Sequence, residues 1–160
     1  MFKNGLVYYA LNELNTNTQF AELVQDILDY CRSKENGEVF DGWDDNVVRH
    51  IIAYHLVKDT CILCMDDGKI TGVAMWYNCN SSDDWSFIEE WHPDDRYGDA
   101  VFIAFLFSDS SQCLRRMCAS LLIKEPSVLT KKIIGLRHRN GYPCRVEYRN
   151  SVFKKVLNLK

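Results

Sequence analysis

Thr60-Cys61-Ile62-Leu63-Cys64-Met65, then Asp66-Asp67-Gly68-Lys69, then Ile70-Thr71-Gly72-Val73-Ala74-Met75-Trp76-Tyr77 reads as a strand, a tight turn and a returning strand. Asp-Gly between two apolar runs is a strong hairpin signal, because a two-residue turn needs positive φ and these residues tolerate it. Upstream of the hairpin lie two helices. Thr16 and Gln19 have the spacing of a capping box, and Phe20, Leu23, Val24, Ile27, Leu28 and Cys31 follow at helical intervals to a stop near Ser33. The second helix starts at Asp44-Asp45, where carboxylates favour the positive helix end, and its stripe is Val47, Val48, Ile51, Ile52, His55 and Leu56. His55 on that stripe reads as a packed histidine. Leu6 to Leu11 reads as a first strand.

Downstream, residues 79–99 are polar, acidic and aromatic, with an edge strand expected between Trp85 and Trp91. Ala100 to Phe107 is nearly continuous apolar sequence, as in a central strand covered on both faces. A helix follows, with Asp109 and Gln112 at capping-box spacing and Cys113, Leu114, Met117, Cys118, Leu121 and Leu122 as its stripe; Pro126 ends it. Lys131 to Arg137 and Cys144 to Tyr148 read as two strands around an Asn140-Gly141 turn, and Val152 to Leu157 as a short last element. The expected order is β-α-α-β-β-loop-β-α-β-β. It implies an α/β (α+β) domain spanning residues 1–160, with a mostly antiparallel mixed sheet flanked by helices.

Composition agrees with a packed chain, 47% hydrophobic and 12% aromatic. No run approaches the ~18 apolar residues of a membrane span, and no leader or lipidation pattern opens the chain, so a cytoplasmic protein without membrane contact is expected. The seven cysteines sit mostly within apolar periodic stretches, which suits reduced, buried thiols. Cys61 and Cys64 have CxxC spacing, but no second pair completes a zinc site, and on a strand these positions point to opposite faces. Charge is divided sharply. Residues 1–100 carry 7 basic against 19 acidic side chains, and residues 131–160 carry 9 against 1.

The element order, together with Gly68-Lys69-Ile70-Thr71-Gly72-Val73-Ala74, resembles the GNAT superfamily of N-acetyltransferases, whose second hairpin strand often reads G-x-I-x-G-x-A. The Arg-rich end, Leu136 to Tyr148, also looks like that of small GNAT-like proteins of tailed phages, which implies a host-cytoplasmic or virion location. The resemblance implies acetyl-CoA as cofactor, its pyrophosphate held by backbone amides at the start of the helix after the central strand. The cofactor-binding candidates are Phe105 and Phe107 on that strand, then Ser110, Ser111, Gln112, Arg115 and Arg116. The family's glycine-rich turn is absent, because Ser108 to Arg116 contains no glycine.

Acetyl transfer to an amine requires a donor for the thioester carbonyl, a base for the ammonium and an acid for the departing thiolate. Glu89, Glu90 and His92 are the base candidates, and Tyr142 and Tyr148 the acid candidates. The acidic, Trp-bearing loop 79–99 suits an amine substrate or basic protein partner. Arg137, Arg139, Arg145 and Arg149 suit an anionic partner, a partner-facing surface being preferred there over nucleic acid because no nucleic-acid motif accompanies them. Three functions follow: an acyl-CoA-dependent N-acetyltransferase, a catalytically inactive GNAT-like binding or virion-associated phage protein, and a nucleic-acid-binding module.

Overall fold

The computed structural model describes residues 5–34, 43–82, 95–139 and 142–157, with the side chains of 136–139, 142–144, 152 and 156 outside that description. It begins with a helix, α1 (Gly5–Thr16), where the sequence reading expected a strand. The reason lies in the spacing within that segment and just past it. Val7, Ala10, Leu11 and Leu14 fall at i, i+3, i+4 and i+7, and all four pack inward, while the adjacent Tyr8 and Tyr9 are both exposed. Two consecutive outward side chains fit a helix and break strand alternation. α2 (Thr18–Arg32) follows at once. Its N-cap is Asn17, one residue beyond the expected Thr16, and the Asn17 side chain accepts from the Phe20 amide at 3.1 Å. Val24, Ile27, Leu28 and Cys31 form its buried stripe. α3 (Asp45–Lys58) starts where expected, with the Asp44 carboxylate accepting from the Asn46 amide at 2.8 Å, and ends at Asp59 in the left-handed conformation, φ 61°.

The hairpin forms as read: β1 (Cys61–Asp66) and β2 (Lys69–Cys79) are joined through Asp67 and Gly68 at φ 50° and 74°, the two positive values a type I′ turn demands. β3 (Ala100–Ser108) runs antiparallel to β2. Then α4 (Ser111–Lys124) and a 3-10 helix (Pro126–Leu129) cross over to β4 (Lys132–Arg139), which lies parallel to β3. β5 (Tyr142–Tyr148) returns antiparallel, and α5 (Ser151–Leu157) closes the described chain. The described order is therefore α-α-α-β-β-β-α-β-β-α, in place of the expected strand-first order. The strands form one mixed sheet in the order β1-β2-β3-β4-β5, mostly antiparallel as expected.

Alternation on β2 and β3 assigns the layers. Val73, Met75, Phe105 and Phe107 face α1, α2 and α3, whereas Ala74, Trp76, Val101 and Ile133 face α4 and Phe153 of α5. Fully burying each such side chain contributes about 1.5–3 kcal/mol, so both helical layers are held chiefly by apolar contact. Cys61 packs in the first layer and Cys64 in the second, so the CxxC spacing puts its thiols on opposite faces. All six described cysteines are free. Gly72, the inner glycine of the hairpin motif, is required by packing. A Cβ there would lie 2.3 Å from Cys113 Sγ on α4.

Candidate functional site

The centre of the sheet opens at one end. β3 and β4 pair from Ala100↔Lys132 to Ile103↔Gly135, and the pairing stops there although both strands continue. At the same level β3 carries an extra residue against β2. Trp76 pairs with Ile103 and Met75 with Phe105, so Ala104 has a register partner on neither side. A bulge of this kind bends its strand and takes one residue out of the ladder. Beyond it, β3 borders a wedge between the two strands. Leu106, opposite Ala74 on the α4 face, is 45% exposed, in contrast to the expectation of cover on both faces over 100–107.

The end of β3 delivers the chain to the first turn of α4. The Ser110 hydroxyl caps this helix by accepting from the Cys113 amide at 3.1 Å, where the sequence reading expected an Asp109–Gln112 box. Ser111 and Gln112 are exposed and have no bonded amide partner among the described residues. Asp109 has a different task. Its amide donates to the Thr71 carbonyl at 2.9 Å, and its carboxylate accepts from the Tyr30 hydroxyl at 2.9 Å and pairs with Lys34. Lys34 first, then Tyr30, holds the Asp109 carboxyl below its usual range. Burial, reinforced by Asp109, pushes the Tyr30 phenol well up. Lys34 also lies 5.0 Å from the Tyr30 ring centroid. The negative charge beside the helix start is thus matched by a lysine two residues past the end of α2.

The remaining candidates separate into those at the wedge and those elsewhere. Phe105 and Phe107 bury their side chains among α1, α2 and α3, so only their backbone borders the opening. Arg115 and Arg116 are exposed on α4. Arg116 lies near Cys64, where its charge opposes the burial that pushes that thiol up to about 11; this puts it towards β1, the sheet edge far from β4. Arg115 falls on the side of α4 away from the Cys113, Met117 and Leu121 stripe. Tyr148 is at the wedge. Its ring lies against Gly135, where a Cβ would sit 3.3 Å from Cε2, 3.9 Å from the hydroxyl and 3.6 Å from the Ile103 carbonyl oxygen. Gly135 was the sequence signal for this: an isolated glycine inside a strand marks a close approach.

Glu89, Glu90 and His92, and the expected edge strand 85–91, lie outside the described residues, as does the Asn140-Gly141 turn. Tyr142 is described as a backbone position paired with Arg139. The ends of the acidic loop are fastened together, Asn80 Nδ2 to Asp95 at 2.8 Å and the Ser81 amide and hydroxyl to Asp99, both at 2.6 Å. Those two donors, the hydroxyl foremost, hold the Asp99 carboxyl low. Arg145 reaches the Ser81 carbonyl at 3.1 Å, and its register with Leu136 puts it on the opposite side of the pleat from positions 137 and 139. Arg149 is exposed just after β5, so the four arginine positions do not line one strand face. His55 is buried, Nδ1 lying 2.7 Å from the Thr60 hydroxyl, and burial with Lys58 nearby pushes it down to about 3.

Among the described residues no group of three or more His, Cys, Asp or Glu side chains could hold a metal ion, and no helix is long and apolar enough to cross a membrane. No protein-family model matches the chain, and no curated protein matches it significantly.

Proposed function

We propose that this chain is a GNAT-like, acyl-CoA-dependent N-acyltransferase that moves an acetyl or related acyl group to an amine. The observation that carries the reading is the coincidence of three features at one level of the sheet. The parallel pair stops at Ile103↔Gly135, β3 bulges at Ala104, and the Tyr148 ring lies over the vertex. An extended pantetheine fits a slot between parted strands, where backbone groups of β3 supply hydrogen bonds. An amide near the bulge polarises the thioester carbonyl, and the Tyr148 hydroxyl returns a proton to the departing thiolate. The Ser111 and Gln112 amides and the Ser110 and Ser111 hydroxyls hold the pyrophosphate. Asp109 does not oppose it, because Lys34 neutralises that carboxylate. Glu89, Glu90 or His92 takes the proton from the incoming ammonium.

One observation favours the second reading, a non-catalytic binding protein of the same fold. The Ser110 hydroxyl occupies the Cys113 amide, and no glycine lets a phosphate approach the turn closely. Calorimetric titration with acetyl-CoA, and with coenzyme A alongside, separates the two. The acyltransferase reading expects micromolar binding, weakened by Leu106→Glu, which puts a carboxylate on the exposed face of β3 beside its unpaired stretch. Tyr148→Phe should keep binding and lower turnover of an amine acceptor by about 10²–10⁴-fold. An absence of heat at millimolar ligand with folded protein overturns it and leaves the binding-protein reading.

A further inference from the structure

Cys64 and Cys113 are far apart in sequence and meet at one notch. Cys64 pairs with Gly72 across β1 and β2, and both residues point to the α4 face. Side-chain positions directly opposite on an antiparallel pair lie about 4.5–5.5 Å apart. Cys113, in the first turn of α4, fills the space that a side chain at Gly72 would take, its Sγ 2.3 Å from the Cβ position. It is held there by donating to the Thr71 carbonyl at 3.2 Å. Cys64 Sγ in turn donates to the Cys113 carbonyl at 3.6 Å. Cys64 Sγ is thus anchored on the backbone of Cys113 itself, and Cys113 Sγ on the backbone next to Gly72, the cross-strand partner of Cys64, so the two sulfurs share one notch.

We propose that Cys64 and Cys113 form a reversible disulfide that staples β1 to the first turn of α4 when the protein meets a peroxide. The chemistry balances with hydrogen peroxide as oxidant. One cysteine sulfur attacks the O–O bond to give a sulfenic acid and water, and the second thiol displaces the sulfenic oxygen as a second water, forming S–S. Two thiols lose two electrons and two hydrogens, and the peroxide is reduced. Either thiol can make the first attack, and the other, sharing the same notch, then resolves the sulfenic acid. The oxidant must be small, because Cys64 and Cys113 are only 7% and 5% exposed. Of the other described cysteines, Cys31 and Cys61 lie in the opposite layer, both pushed up to about 12, Cys79 donates to the Ala100 carbonyl at 3.8 Å, and Cys118, further along α4, is partly buried against the same layer as the pair. The staple is independent of the acyl-CoA reading and stands or falls by itself.

The test is to treat folded protein with sub-millimolar hydrogen peroxide, denature it, alkylate it, and map the peptides by mass spectrometry without reductant. The expected product is lighter by two hydrogens, has two fewer alkylated thiols, and yields one linked pair joining the Cys64 and Cys113 peptides. A phosphine reductant should restore both thiols. Cys113→Ser and Cys64→Ser should each reduce the linked fraction at least tenfold while the far-ultraviolet dichroism is unchanged; if one variant does not fold, the other decides. Alkylation of both cysteines after treatment overturns the proposal. So does their separate conversion to sulfinic acids, or a link confined to other cysteines such as Cys31 and Cys61.

Discussion

Gly72→Ala should destabilise this protein although Ala suits a strand better, and the structure sets the size of the effect. The new Cβ would stand 2.3 Å from Cys113 Sγ, where ordinary contact begins near 3.4 Å, so the first turn of α4 must retreat by about 1 Å. Met117 also closes on the site at 3.1 Å, but its flexible thioether can swing aside. The sulfur of Cys113 cannot, being fixed on a helix whose Met117 and Leu121 are already buried. Overpacking of this kind costs about 1–3 kcal/mol. At about 2–4 °C per kcal/mol for a domain of this length, the melting temperature should fall by roughly 2–12 °C. The diagnostic step is the double mutant. Cys113→Ala alone should cost about 1 kcal/mol for the lost sulfur contacts. Combined with Gly72→Ala it removes the clash, so the double mutant should be more stable than the sum of the singles by about 1–2 kcal/mol. Urea unfolding followed by circular dichroism, with reductant present, measures all four proteins. Additive losses, or a Gly72→Ala protein within 0.5 kcal/mol of the parent, would refute the packing argument.

Two further outcomes follow from the titrating groups. His55 has a folded value near 3 against an ordinary 6.5, so the unfolded chain takes up its proton first as pH falls. The stability is full above the ordinary value and drains between there and the folded value, with a loss of about 1 kcal/mol from pH 7 to 5.5. His55→Gln should remove most of that slope in urea titrations at the two pH values, the remainder coming from His50, which burial also pushes down. At the start of α4, Asp109→Asn removes a negative charge and releases Lys34. Acetyl-CoA affinity should then rise several-fold at low salt, and stability should change by less than about 1 kcal/mol because the pair is largely solvated; weaker binding in calorimetry would contradict the placement of the pyrophosphate.

What the sequence revealed was whatever depends on neighbours along the chain. The β1–β2 hairpin was legible because Asp67-Gly68 leaves few alternatives to a type I′ turn, and α3 because Asp44 both caps and charges its start. α1 does not read as a helix locally because Leu6-Val7-Tyr8-Tyr9 is rich in strand-forming residues, and Leu14, which with Leu11 continues the helical stripe, lies past the Leu6–Leu11 segment. The Ser110 cap was missed by one position for a tertiary reason. Asp109, the better-looking cap, is claimed by Tyr30 and Lys34, 79 and 75 residues away. The wedge itself depends on where two strands stop pairing, which no local pattern encodes. Gly135 was its one local trace, and its meaning appears only once Tyr148 is known to lie across it.

The sheet is sewn together unevenly. β2 and β3 share eight register pairs and β4 and β5 share seven, each a partnership of consecutive strands, while β3 and β4 share four and are joined through the whole of α4. The chain thus makes a three-stranded antiparallel meander and a two-stranded hairpin, and brings them together by one parallel seam. That seam has a loop closure as long as that of β2 and β3 to overcome for half the register pairs, so it is expected to open before they do. Anything that lies in the wedge and bonds to both strands extends the seam, so its occupant would act as stitching between two halves that otherwise meet along four rungs.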